Sequence, residues 1–241
     1  MEIQWSEEYL VLKTKYIEEQ YSYIPPIYRN KHYGRYVIQY YEGGRRHEVQ
    51  PTSPRYQQLE YKYLRRKALK NELKVLYSMC MSRQNYKIRD DIHKVLDYND
   101  YQKMVSNTSN SDGKHPYQHK EFYMRSRFEV SMAYVLDSLG LDYKYEPTIY
   151  LGDYMINPDF VVYLPEFDCC IIIECEGMTN RVGYVNRNGM KFTEYLYSGL
   201  VFGMTLVVLQ GTDKQMPSPE IMRNAVVSAI NNVTAMYVLK E

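Results

Sequence analysis

A chain of 241 residues, 45% apolar and 24% charged, can bury a substantial core as one large domain or two small ones, which excludes a disordered polypeptide. No run approaches the ~18 uninterrupted apolar residues of a membrane span, and the N-terminal MEIQWSEEYLV lacks the basic-then-apolar order of a secretory signal. The formal net charge of +1 hides an uneven spread: residues 45–94 hold 13 Lys and Arg against 5 Asp and Glu, whereas residues 141–241 hold 7 against 12.

A basic segment beside an acidic one suits a protein that grips a polyanion with one part and places a metal with the other; a solvated helix face beside an acidic domain is the plain alternative. The four cysteines, Cys80, Cys169, Cys170 and Cys175, form no disulfide framework. A reducing, cytoplasmic setting is the expectation. The twenty-eight tyrosines suit strands and half-exposed surfaces as well as base stacking, and are read as mostly structural.

In chain order, residues 1–24 read as a helix with Trp5, Tyr9, Leu12, Tyr16 and Ile17 near one face, stopped by Pro25 and Pro26. Residues 34–42 read as a strand that turns at Gly43 and Gly44 and returns over 45–50. A long helix is expected over 55–82, with Leu59, Tyr63, Leu69, Leu73 and Leu76 on one face and Arg65, Arg66, Lys67, Lys70 and Lys74 on the others. Such a helix can lie along a phosphate backbone, and Arg45, Arg46, Arg65, Arg66, Lys67 and Lys70 are the candidate nucleic-acid contacts; it can equally be a surface or dimerising helix. A weaker helix is expected over 84–105. The Ser-, Asn- and Gly-containing stretch 107–114 marks a linker. The expected division is therefore a basic, mostly helical region with a small hairpin over 1–106, a linker over 107–120 and a second domain over 121–241.

In that second domain, residues 121–139 read as a helix closed by Gly140, which places Glu129 in a largely apolar stripe with Phe122, Arg125, Met132, Leu136 and Leu139. A buried carboxylate needs a partner: a cation, donors or a metal. An ordinary salt bridge to Arg125 answers that need as well as a metal does. Strands are expected over 142–147, 154–156, 158–163 and 169–176, then a helix over 188–202, a strand over 205–210 and a helix over 219–233. The order predicts a mixed α/β layer fold. The run 169–176 is apolar on both faces until Glu174, Cys175 and Glu176, as a strand buried in the middle of a sheet would be. Its carboxylates, with Asp159 on the neighbouring strand, form an acidic cluster at the edge of the core. Like charges held that close raise one another's pKa unless a cation compensates, and Mg²⁺ (or Mn²⁺) on oxygen ligands is the usual compensation where phosphates are the substrate.

Other constellations carry less. His115 and His119 are four residues apart, but Pro116 argues against a helical metal pair; the cysteines lack zinc spacing and suit core packing; no phosphate-loop or dinucleotide signature is present, so no nucleotide cofactor is expected.

The order of elements, with Glu129 in the leading helix, Pro158-Asp159 on one strand and Glu174-Cys175-Glu176 on the next, resembles the PD-(D/E)XK nuclease-like superfamily. RSRFE (125–129), YKYEP (143–147), NPDF (157–160) and ECEGM (174–178) look more narrowly like a group of bacterial and phage proteins in which a basic, tyrosine-rich region precedes such a core. The resemblance covers about residues 121–210. It implies a restriction-endonuclease-like αβββαβ core. It further implies that Asp159 and Glu174 bind Mg²⁺, with the Cys175 backbone carbonyl as third ligand, and that Glu129 completes the shell or holds a metal-bound water. One departure matters: where the superfamily places a lysine, this chain has Glu176. A glutamate there can act as general base or recruit a second metal, and Lys191 on the following helix can reach the site from another backbone position.

The leading expectation is a Mg²⁺-dependent deoxyribonuclease hydrolysing phosphodiesters, with DNA as partner, no membrane, and pairing into a homodimer left open. Two alternatives stand beside it: a nucleic-acid-binding protein whose nuclease fold does not cleave, and a phage structural or assembly protein using tyrosine-rich contacts.

Overall fold

The computed structural model describes residues 3–32, 34–80, 84–109, 113–114, 116–180, 182–212 and 214–239, with residues 182 and 184–188 by backbone alone. The chain forms two compact units, Leu10–Asn85 and Met1–Tyr9 with Tyr86–Glu241. The second includes the 86–106 segment. The units thus divide near residue 85, and not across the expected linker 107–120.

In the Leu10–Asn85 unit, most of helix α1 (Glu7–Tyr23) is followed by strands β1 (Ile27–His32), β2 (Arg35–Glu42) and β3 (Arg45–Val49), then by helix α2 (Arg55–Met79). The strands form one antiparallel sheet in that order. β1 adds a strand to the expected hairpin, which is therefore the second half of a three-stranded sheet. Gly43 and Gly44, with φ of 58° and 77°, make the two-residue turn between β2 and β3, the primed geometry that matches strand twist and that glycine adopts without strain. α2 buries Tyr56, Leu59, Leu69, Leu73 and Leu76, close to the expected stripe. Tyr56 and Leu59 close a small core with Ile27 and Ile38.

The other unit holds the remaining elements: β4 (Lys87–Ile88), α3 (Tyr98–Lys103), β5 (Tyr117–His119), β6 (Phe122–Met124), α4 (Arg127–Ser138), β7 (Asp142–Tyr145), β8 (Ile149–Leu151), β9 (Tyr154–Ile156), β10 (Phe160–Leu164), β11 (Cys169–Glu176), α5 (Val182–Tyr197), β12 (Leu206–Gln210), α6 (Pro219–Tyr237) and β13 (Val238–Leu239). Its central sheet has the order β12-β11-β10-β7. β7, β10 and β11 pair antiparallel, and β12 pairs parallel to β11. The fold is mixed α/β, and the order helix, three sheet strands, helix, strand is the one expected.

Several segments differ from expectation: the helix expected over 188–202 spans Val182–Tyr197, and β8 is an added strand paired with β9. The helix over 121–139 begins only at Arg127, because Ser126 caps it: the Ser126 hydroxyl accepts from the Glu129 N–H, and residues 122–124 pair with 117–119 as a hairpin. A serine N-cap starts a helix more sharply than apolar periodicity shows. The weak helix over 84–105 shrinks to α3, held by a capping box on Asp97, while β4 pairs with β13.

Every residue of β11 is buried. On one sheet face Cys170 and Ile172 pack with Leu96, Tyr101 and Met104 from the 86–106 segment and with Tyr195 of α5. The 86–106 segment thus belongs to this core and not to the basic region. α4 packs against α6, β7 and β11, and its Met132, Ala133 and Leu136 are fully enclosed. A strand covered on both faces must be apolar on both. The exceptions, Glu174 and Glu176, then stand out as charge at the C-terminal end of a buried strand.

Candidate active site

β10 and β11 run antiparallel with Phe160 opposite Ile173, so the next step of that register sets Asp159 across from Glu174. β10 starts one residue late for a backbone partner there, and the Asp159 side chain takes its place: the Cys175 N–H donates to Asp159 Oδ2 at 2.7 Å. The N–H and C=O of one strand residue point to the same edge, so the Cys175 carbonyl also faces the Asp159 side.

Asp159 and Glu174 are both buried, at 7% and 1% exposure. Burial pushes the Asp159 carboxyl well above the usual carboxylate range, and the nearby Glu174 and Glu129 charges push the same way, against Lys191. Burial also raises Glu174, against Lys191 and Tyr195, which favour its charged form. Lys191 Nζ lies 2.8 Å from the Glu174 carboxylate and donates to the Asn157 carbonyl at 3.1 Å. The Tyr195 hydroxyl, one helical turn on, donates to Glu174 as well. The resemblance expects a lysine on the strand, at the position of Glu176; here α5 delivers one to Glu174 instead.

Glu176 lies on the same face of β11 two residues on, also buried at 5% exposure. Its backbone carbonyl accepts from Gly211 N–H.

Glu129 is brought to the cluster but not as an open ligand. Its Oε1 accepts from the Ser126 hydroxyl at 2.8 Å; its Oε2 accepts from the Tyr145 hydroxyl at 2.7 Å and the Arg125 backbone N–H at 3.0 Å. The expected alternative, a side-chain salt bridge to Arg125, is not the arrangement either. The Arg125 guanidinium turns instead to Glu146 and to Asp159 Oδ1, the latter at 3.3 Å. Burial works against the Arg125 charge, but Glu146, Asp159 and Glu129 outweigh it and raise its pKa further.

Glu146, within the YKYEP stretch (143–147) but not among the expected site residues, also joins the site. It follows β7 with φ of 42°, a left-handed conformation that costs a side-chain-bearing residue about 1–2 kcal/mol and persists only where neighbours hold it. Here its backbone N–H donates to the Asp159 carbonyl at 2.9 Å, and its side chain accepts from Asn107 Nδ2 at 2.8 Å. No composition or periodicity marks such a turn. Nor does any pattern mark Tyr145 and Tyr195 as donors to Glu129 and Glu174.

The donor chemistry fits a hard divalent cation at Asp159 and Glu174: buried carboxylate oxygens on adjoining strands, with a backbone carbonyl on the same edge. It does not fit at Glu129, whose oxygens accept from three donors; at Asp159 and Glu174 an ion would share or replace contacts that Arg125, Lys191 and Tyr195 now make. Among the described residues no three His, Cys, Asp or Glu side chains stand together as a ready metal cage; Arg125 and Lys191 supply the positive charge beside the two acids. Of the other expectations, His119 bonds Asp137 at 2.9 Å, His115 lies outside the described residues, and Cys169, Cys170 and Cys175 are buried in the core.

The candidate nucleic-acid contacts divide. Arg45, Arg46, Arg65, Lys67 and Lys70 are exposed. Arg66 is not one of them: it donates to the Tyr21 and Ile24 carbonyls at the end of α1 and stacks 3.8 Å from the Tyr21 ring centroid. Its charge closes a helix C-terminus. The same unit has an open cavity of about 780 Å³ lined by Arg29, Arg35, Tyr36 and Tyr56 among others, where Arg29 lies over the Tyr36 ring at 4.4 Å; neither arginine belongs to the candidate set read from sequence.

No helix among the described residues is long and apolar enough to cross a membrane. Comparison of the chain with protein-family models, with curated proteins and with solved structures finds no match.

Proposed function

We propose that this chain is a metal-dependent DNA endonuclease of the PD-(D/E)XK nuclease-like kind. One observation carries the reading: Asp159, just before β10, Glu174 of β11 and Lys191 of the following helix converge at the end of the buried strand β11. Two acids and a lysine at that place are the parts that phosphodiester hydrolysis needs.

Asp159 and Glu174, with the Cys175 carbonyl, would hold Mg²⁺ or Mn²⁺, which supplies charge neutralisation and acidifies water. Hydrolysis forms a P–O bond from water and breaks the P–O bond to the leaving sugar oxygen; the water loses a proton and the leaving oxygen gains one. The Lys191 ammonium, fixed by Glu174 and the Asn157 carbonyl, is placed to meet charge developing on the phosphate oxygens. Glu176, on the same strand face as Glu174, is the candidate to accept the proton of the water. The exposed Arg45, Arg46, Arg65, Lys67 and Lys70 supply the sequence-independent attraction for the backbone.

The test is cleavage of single- and double-stranded DNA by the purified full chain with Mg²⁺ or Mn²⁺. Cutting that disappears in Asp159→Ala and in Glu174→Ala supports the reading; no cutting with either ion overturns it.

A second reading, a nuclease fold that binds DNA without cutting, is favoured by Glu176 at the expected lysine position and by Arg125 standing on Asp159. Salt-dependent DNA binding that survives Asp159→Ala, without cleavage, selects it.

A further inference from the structure

We propose that Arg125 gates the ion seat: its guanidinium occupies Asp159 while nucleic acid is absent, and moves to a substrate phosphate when nucleic acid arrives, releasing Asp159 to the divalent cation. The inference rests on the nuclease reading and adds a coupling between the two ligands.

The geometry makes Arg125 both held and movable. It is held because Nη2 is shared between two carboxylates, Glu146 and Asp159 Oδ1, and because Glu146 is itself fixed. The Glu146 side chain is 8% exposed, is bonded to Asn107, and sits on a left-handed backbone. It is movable because half of the Arg125 side chain is open to solvent and its contact with Asp159 is the longer of the two. A guanidinium is a planar fork that binds carboxylate and phosphate alike, so an incoming phosphodiester competes for the group that Asp159 now holds. Glu146 keeps Arg125 nearby during the exchange.

The charge inventory gives the exchange a direction. Among the described residues, Arg125 and Lys191 are the cations paired with Glu146, Asp159 and Glu174, and the Glu174 and Glu129 charges act against that of Asp159. Drawing Arg125 toward DNA leaves Asp159 buried beside Glu174 with less compensation, which raises the affinity of that place for a divalent ion. A guanidinium and a metal at Asp159 Oδ1 exclude one another. Binding free energies are reciprocal, so if DNA promotes the ion, the ion promotes DNA by the same factor.

The experiment measures Mn²⁺ binding to the full chain by paramagnetic resonance of free Mn²⁺, with and without a phosphorothioate duplex. In the wild-type chain the duplex is expected to tighten Mn²⁺ at least about tenfold, a coupling of ordinary allosteric size. Arg125→Gln is expected to bind Mn²⁺ alone about that much more tightly than wild type and to gain nothing further from the duplex. Arg125→Lys, which keeps the charge but not the fork, should fall between them. The wild-type comparison needs no variant to fold. If wild type binds Mn²⁺ with equal affinity with and without the duplex, the gate is wrong while the ion seat stands. Equal Mn²⁺ affinity in wild type and a folded Arg125→Gln likewise overturns the gate and leaves the seat. If no chain binds Mn²⁺ under either condition, the seat and the gate both fall.

Discussion

Lys191 and Glu174 lie 2.8 Å apart although they come from a helix and a strand, and this pair gives the site its lysine without one on β11. Glu174 is almost wholly enclosed, and Lys191 favours its charged form against that burial. If the pair serves phosphodiester hydrolysis, Lys191→Ala should lower cleavage by about 10²-fold or more, the usual loss on removing one group aimed at developing charge. Plasmid nicking with Mn²⁺ reads this. A variant cutting within about twofold of wild type would leave Lys191 as a structural partner only.

Glu129 carries a different expectation from the acids beside it. Its carboxylate accepts from Ser126, Tyr145 and Arg125, so Glu129→Ala keeps the Ser126 cap on its backbone N–H but leaves the buried Tyr145 hydroxyl and the Arg125 N–H without that acceptor. The loss should be about 1–3 kcal/mol of stability. Glu129→Gln, which keeps an acceptor oxygen of the same reach, should recover most of it. Thermal unfolding distinguishes the two; a Glu129→Ala chain as stable as wild type would remove the structural role given to it here.

Much of this site is legible in sequence because strand geometry is regular. Asp159 follows a proline at a strand start, Glu174 ends an apolar run, and antiparallel register brings them together. The α2 stripe is legible for the same reason, with its period set by the helix. What escapes reading depends on contacts without a period. Apolar spacing continues through 122–124 and points Arg125 to a helix face, whereas the Ser126 cap starts the helix after it. Its partner Glu146 sits in a single left-handed residue that no local pattern marks. The placement of Leu96 and Tyr101 beneath β11 follows from packing across long sequence separations, which the composition of 107–114 does not carry.

Asp159 also predicts a pH dependence. Its folded carboxyl is raised above the roughly 3.9 of an unfolded aspartate by burial, then by Glu174 and Glu129. Through that window the folded state therefore binds more protons than the unfolded one, and its stability declines as pH rises from about 3.9 through the folded value. Asp159→Asn removes this contribution. It should flatten the decline and raise the melting temperature at pH 8 in chelator by about 2–4 °C for each kcal/mol relieved. An unchanged slope of melting temperature against pH between about 4 and 8 would contradict the assignment.

The basic residues of the Leu10–Asn85 unit separate into two groups by the same logic. Arg65, Lys67 and Lys70 are exposed, so neutralising any one that meets a phosphate should lower the salt slope of DNA binding by about one unit while leaving the melting temperature unchanged. Arg66→Ala should do the reverse, because its hydrogen bonds close the end of α1. A charge-assisted hydrogen bond of this kind is worth about 1.5–3 kcal/mol. Binding titrations across salt, paired with thermal melts, test both; an Arg66→Ala chain that melts like wild type but loses salt slope would return Arg66 to the DNA-contacting set.

The cysteines offer a check on the core that is independent of any activity. Burial pushes the Cys169 thiol up to about 12 and raises Cys170 and Cys175 as well, while all three are enclosed and Cys80 is partly exposed. The thiolate is the reactive form. At pH 8 a thiol reagent should therefore modify Cys80 in the native chain and reach Cys169, Cys170 and Cys175 only on unfolding. Mass spectrometry of labelled peptides assigns the sites. Rapid native labelling of Cys175 would mean that the end of β11 opens to solvent, and with it the burial on which the charge balance of Asp159 and Glu174 depends.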